Sequence, residues 1–314
     1  MSPRGVFHEG EIEVQERAGE RAVALRNGTM LSDRIVARAR PFLAGQRMVV
    51  VAASDPEGQL WASLWFGPPG FVRSEEEGSR VSVTRSPGGV SPDDPVAGHL
   101  QPGQSLGLLA IELSSRRRLR INGVLGDSDA ATLEVEVREA FPNCPKYIQR
   151  RHPAPSLSPA AQTRETGARG ETLDAPRRDF VARVDTAFVA SAHPTRGLDA
   201  SHRGGSPGFI RVEGARTLRF PDYPGNSMFQ TLGNLAIDPR AGLALLDFAR
   251  GRVLMLTGTA VASFGAEDPT HPTGGTGRYW TFTVARWIEL SLPVDFAWEL
   301  LDRSPFNPPA GAAP

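Results

Sequence analysis

Apolar positions along the chain fall into short runs separated by Gly, Pro and Asp, with little sustained helical spacing. MVVVAA from Met48 to Ala53 and TAFVASA from Thr186 to Ala192 each lead to a turn containing Pro or Gly. A strand-length stretch follows, ending in Pro-Gly-Phe. Further on, each half has strand, turn and strand around Ser114-Ser115 or Arg250-Gly251. Runs of this length, rich in Val, Leu and Ile and bounded by turn formers, predict strands. The expected module is mostly antiparallel β, a small barrel, because closure removes exposed edges.

The module occurs twice. DPEGQLWASLWFGPPGFVR from Asp55 aligns without a gap to HPTRGLDASHRGGSPGFIR from His193, a shift of 138 positions. GLLAIELSSRRRLRINGVL from Gly107 aligns to GLALLDFARGRVLMLTGTA from Gly242, a shift of 135. Near-constant offsets in the same order indicate internal duplication. The expected layout is an N-terminal extension with a helical segment (1–44), a first copy (45–150), a surface linker (151–178), a second copy (179–303) and a flexible tail (304–314).

Two helices are expected. One spans Leu31 to Ala44 and breaks at Pro41. The other spans Asn226 to Ile237, starts at Gly225-Asn226, and turns Met228, Phe229, Leu232 and Leu235 to an apolar face before Asp238-Pro239 stops it. The first copy has SPGGVSPDDPVAGHL in the equivalent place, too rich in Pro and Gly to form that helix.

Of the 314 residues, 40% are hydrophobic and 22% charged, and Lys+Arg equals Asp+Glu at 35 each. No bulk field draws the chain to nucleic acid or an anionic membrane, so an anion would have to be held locally. The single cysteine, Cys144, excludes an internal disulfide and reads as a small buried residue. His8, His99, His152, His193, His202 and His271 show no metal-ligand spacing, and no metal is expected. With no signal-peptide pattern and no long apolar run, the expectation is a soluble, cytoplasmic protein.

Three stretches could carry chemistry. In LDASHRGGSPGFIRV, Asp199, His202, Arg203 and Gly204 replace Trp61, Leu64, Trp65 and Phe66 of the first copy. Either Arg203 is a solvated strand end beside a bulge, or it grips an anion while Gly204 and Gly205 let backbone N–H groups approach. In PDYPGNSMFQTLGN, Asn226 and Ser227 open the second helix, as a plain N-cap or as a phosphate seat joined by Gln230, Thr231 and Asn234. In FPNCPKYIQRR, Lys146 and Arg150 would share a helical face, or end a solvated loop. SSRRRLR reads as a solvated strand turn. No G-x-S-x-G, Walker or G-x-G-x-x-G pattern is present.

The order SHRGGSPGF, PGNSMFQTLGNL, DPRAGLALLDF, GRVLMLTGTA resembles the pyridoxamine 5′-phosphate oxidase-like FMN-binding split-barrel superfamily, in particular its flavin-nucleotide-binding branch. The resemblance covers most of 180–290 directly and 45–150 through the repeat. It implies a mostly β, α+β fold of two tandem split barrels packed as an intrachain pseudo-dimer, with one FMN between them. The site it implies comprises Ser201, Arg203, Gly204, Gly205, Asn226, Ser227, Gln230 and Thr231 of the second copy, with Lys146 and Arg150 reaching in from the first. The chain departs from the oxidases of that name by having Ser227 and Met228 where they carry basic residues. It also lacks their C-terminal substrate pattern. The implied activity is an FMN-dependent oxidoreductase acting on a small-molecule substrate or electron donor, with Tyr147 and His202 as candidate catalytic groups. The alternatives are a non-catalytic flavin or haem carrier, with His202 or His193 near Phe209 as axial ligand, and a purely structural chain. Pairing of the doubled chain into a homodimer stays open.

Overall fold

The computed structural model describes residues 5–129, 131–155, 167–293 and 296–308. Helices α1 (Glu9–Arg17), α2 (Arg21–Gly28) and α3 (Arg40–Ala44) precede the first sheet. The first apolar run becomes β1 (Met48–Ser54), followed by β2 (Leu60–Phe66), β3 (Val72–Ser74), β4 (Arg80–Thr84), β5 (Ser105–Glu112), β6 (Arg117–Leu125) and β7 (Thr132–Pro142). After β8 (Arg150–Pro155), β9 (Ala168–Gly170) and α4 (Ala175–Arg183), the second run opens the other copy as β10 (Thr186–His193). Next come β11 (Gly197–Gly204), β12 (Arg211–Val212), β13 (Thr217–Pro221), α5 (Gln230–Ile237), β14 (Arg240–Asp247), β15 (Arg252–Ser263), β16 (Tyr279–Ser291) and β17 (Phe296–Asp302).

The sheets run β2-β1-β5-β6-β7-β4-β3 and β11-β10-β14-β15-β16-β13-β12, the same order with each strand replaced by its duplicate. Registers repeat as well: Val49 pairs with Ala110, and Ala187 with Leu245. A bulge falls at Asn122/Gly123 in one copy and Thr257/Gly258 in the other. The fold is two tandem split β-barrels related by a pseudo-two-fold.

The copies interlock reciprocally, β11 against β5 and β6, and β2 against β14 and β15. Two glycines permit the approach. A Cβ on Gly107 would lie 2.7 Å from the Ala200 nitrogen, and one on Gly242 would lie 2.5 Å from the Leu60 carbonyl oxygen. Strand β17 pairs with β8, so the end of the second copy is also hydrogen-bonded to the segment after the first.

Several expectations on secondary structure are corrected. The Leu31–Ala44 helix is reduced to a 3-10 turn at Ala37–Ala39 and the short α3, with Pro41 in its first turn, where a missing N–H costs nothing, so it starts the helix instead of breaking it. The second helix begins at Gln230, four residues later than expected, because Ser227 and Phe229 adopt left-handed φ of 61° and 60°. The expected linker contains regular structure: part of β8, all of β9 and the first four residues of α4, and Arg151 is buried against Asp185 at 2.5 Å. Residues 156–166 and 309–314, within the expected linker and tail, lie outside the described residues. Among those described, no helix is long and apolar enough to cross a membrane.

Candidate functional site

The reciprocal packing leaves a cleft between the copies, with about 830 Å³ free of atoms, part of it open to solvent. One wall is first-copy: Arg118 and Arg120 on β6, then Asn143, Cys144, Lys146 and Tyr147. The other is second-copy: His202, Arg203 and Gly204 on β11, Phe209, and residues from Pro221 to Leu232 leading into α5. Arg118 and Arg120 share a face because alternate residues of a strand project the same way.

Positive charge dominates. Arg120 is buried and 3.3 Å from Asp199, while Arg203 reaches only 3.9 Å from Asp222, a carboxylate that Arg278 holds at 3.0 Å. Arg118 donates to the carbonyls of Cys144 and His202 and has no carboxylate partner among the described residues. Burial, then Arg120 and Arg203, lower the Arg118 guanidinium from its ordinary range, yet it stays protonated at neutral pH. The Nε atoms of Arg120 and Arg203 and the Oδ1 of Asn143 are buried without a hydrogen bond. His202 is equally bare: neither ring nitrogen has a partner, and burial, reinforced by Arg118 and Arg203, holds the imidazole neutral far below its ordinary pKa. Unpaired buried polar groups on one concave surface mark a candidate ligand site, and its excess of guanidinium groups suits an anion.

No family model matches the chain, and no curated protein matches it. Solved structures do. HupZ from Group A Streptococcus shares 16% identity over 35% of this chain and 88% of that one, with a TM-score of 0.29. A protein of the pyridoxinephosphate oxidase family from Clostridium acetobutylicum shares 12% over 39% and 90%, with a TM-score of 0.28. HutZ, the heme storage protein from Vibrio cholerae, shares 11% over 39% and 99%, with a TM-score of 0.26. The chain is similar to each of these over 35% to 39% of its own length.

Within this split-barrel pair, the residues singled out from sequence fall into two groups. Lys146, Tyr147, His202, Arg203, Gly204, Asn226, Ser227, Gln230 and Thr231 all line the cleft. The others do not. Arg150 turns away to Asp302 at 2.8 Å and to the Ser114 carbonyl, because it lies on β8 and not on a helix with Lys146. Ser201 is buried behind the wall and accepts from the Thr231 hydroxyl at 3.0 Å. Gly205 spends its N–H on the Asp185 carbonyl, so it has none to offer an anion. Asn234 binds Ser191 and Asp199 through its amide.

The helix start also differs from the expected seat. Asn226 Oδ1 accepts from the Met228 N–H, and Ser227 Oγ donates to Glu20 Oε2 at 2.5 Å. The Tyr147 hydroxyl donates to the Pro224 carbonyl, and burial pushes its pKa up to about 12. His193 lies outside the cleft, 3.2 Å from Glu9, with its ring tilted against that of His8 at 4.1 Å. These three residues cluster, but His193 Nδ1 accepts N–H bonds from Thr195 and Arg196, which puts its proton on Nε2 and leaves no lone pair there for a metal.

Sequence reasoning missed Arg118 and Arg120, setting SSRRRLR aside as a solvated turn. A signal was present. Under the shift of 135 they stand where the second copy has Val253 and Met255, and two arginines replacing core residues at alternate strand positions need a partner. In the pseudo-symmetric position, Leu64, Trp65 and Phe66 replace His202, Arg203 and Gly204. Together with Val253 and Met255 they are buried in one hydrophobic cluster, so side chains fill that second place.

Proposed function

We propose that the chain is an FMN-binding flavoprotein, an oxidoreductase acting on a small molecule, with one flavin per chain in the cleft between the copies. The observation that carries this reading is the convergence of Arg118, Arg120 and Arg203 with a single close carboxylate contact on Arg120 and none on Arg118. A phosphate dianion suits a site of guanidinium forks, each capable of bidentate donation. Lys146, held over the Phe306 ring, adds a cation at the rim. Tyr147, whose ring lies tilted 4.8 Å from that of Tyr223, and Phe209 and Phe229 give the cleft apolar ring surfaces that a ring system can pack against. Bound flavin supplies the electron or hydride transfer. The neutral His202 offers one donor and one acceptor nitrogen on the same wall, suited to orienting a ligand or exchanging a proton with it.

The test is the spectrum and extracted cofactor of the purified protein. The expected outcome is a flavin spectrum and FMN at one per chain, with binding weakened severely in Arg203→Ala. A second reading rests on His202 alone: a neutral imidazole with both nitrogens free is also a competent haem ligand. A Soret band lost in His202→Ala would favour haem and overturn the flavin reading.

A further inference from the structure

The cleft wall from Asn226 to Phe229 does not hold its own shape. Two of its four residues, Ser227 and Phe229, sit at left-handed φ, a costly conformation for residues other than glycine, asparagine and aspartate. Within the segment the Asn226 side chain bonds to the Met228 N–H, and this is a weak restraint at 3.2 Å. Beyond the Phe229 carbonyl, which accepts from the Gly233 N–H, the segment is held from outside the duplicated module. Asn27 Nδ2 donates to the Asn226 carbonyl at 2.8 Å, and Gln15 Nε2 to the Met228 carbonyl at 2.9 Å. Glu20 accepts from Ser227 Oγ and pairs with Arg278 at 2.8 Å, placing that guanidinium over the Phe229 ring.

The same N-terminal helices clamp α5 itself. A Cβ on Gly10 would lie 2.3 Å from the Gly233 carbonyl oxygen, and one on Gly233 would lie 2.6 Å from Glu11 Cα, so α1 and α5 cross at backbone contact. His8 reaches Asn234 Oδ1 at 3.0 Å from the same side. Gln15 is fully buried, although it belongs to a segment that neither copy of the repeat contains.

We propose that α1 and α2 are a working part of the ligand site, with Gln15, Glu20 and Asn27 as positioning residues. They hold 226–229 in the conformation that turns the first turn of α5 into the cleft. The assignment to a ligand site rests on the flavin reading, whereas the restraint on 226–229 does not. The helices touch this copy's loop, and the first copy, whose equivalent stretch forms no helix, has no such support to offer a ligand.

The test uses the full chain with Asn27→Leu and Gln15→Met. Each is close to the original in size, adds no charge, and removes the donor. Leu25→Ser, at an exposed position of α2, is the control. Amide exchange at 226–231 is followed in the ligand-free protein, and affinity for FMN and for inorganic phosphate is titrated alongside the visible circular dichroism of bound FMN. The expected result is faster exchange confined to 226–231, an altered dichroism signal, and affinity weaker by about tenfold in each variant, with Leu25→Ser unchanged. Exchange at 226–231 unaltered in both variants would overturn the proposal. So would affinity loss that only follows a general loss of protection across the second sheet. Failure of the unaltered protein to bind either FMN or phosphate would instead remove the flavin reading, and the exchange experiment would still decide whether the helices restrain the loop.

Discussion

Arg118 carries the most direct residue-scale prediction. Its neighbours on β6 and β11 include Arg120 and Arg203, and among the described residues its hydrogen-bond partners are carbonyl oxygens. Arg118→Met should weaken FMN binding roughly tenfold to a hundredfold, as expected for a lost charged hydrogen bond of about 1.5 to 3 kcal/mol. Arg120→Met should also destabilise the fold, because Asp199 would lose its buried cation. Titration and urea denaturation separate the two effects. A second prediction concerns pH at the N-terminal helix. Burial pushes Glu11 up to about 8 from an ordinary 4.5 and pulls His8 down to about 4 from 6.5. The raised carboxyl stabilises fully below about pH 4.5 and loses that contribution as pH rises through about 8; the depressed imidazole stabilises above about pH 6.5 and loses its contribution as pH falls toward 4. The two slopes oppose each other between 4.5 and 6.5, leaving a net loss from about 6.5 to 8. Glu11→Gln should therefore gain on the unaltered protein between pH 6 and 8.5, by at most ~1.4 kcal/mol per pH unit. Denaturation at both pH values checks this.

Among the elements, β6 and β11 face each other across the cleft and were legible to different degrees. For β11 the duplicate provided a reference: polar residues stood where the other copy had Trp and Leu, so His202 and Arg203 could be singled out. For β6 the same comparison was available at Val253 and Met255, but a run of four arginines in five residues resembles a solvated turn until the strand's alternation is applied to it. The left-handed start of α5 had no local signal, since neither Ser nor Phe favours positive φ; their conformation accompanies contacts with residues some 200 positions away. Strand registers were the most readable feature, since both shifts found by alignment reappear in the ladders. The strand crossings yield a third prediction. Gly107→Ala and Gly242→Ala should each destabilise the chain by about 1 to 3 kcal/mol, because the added carbon meets backbone and not a movable side chain. Chemical denaturation reads the loss.

Taken whole, the molecule is a two-fold arrangement in which one of two equivalent places is a cleft and the other, among the described residues, is filled by buried side chains. The filled place predicts one FMN per chain, measured by extraction against protein concentration; two would contradict the packing of Leu64, Trp65 and Phe66. An association of identical subunits could not make this distinction, because a residue changed at one place would change at the other. The joining of the copies through β8 and β17 has another consequence. A cleft built between separate subunits comes apart on dilution, whereas here the facing walls belong to one polypeptide and meet at an effective concentration that the solution does not set. Once corrected for the flavin's own dissociation, occupancy should be the same at nanomolar as at micromolar protein, so the site should persist however scarce the protein is.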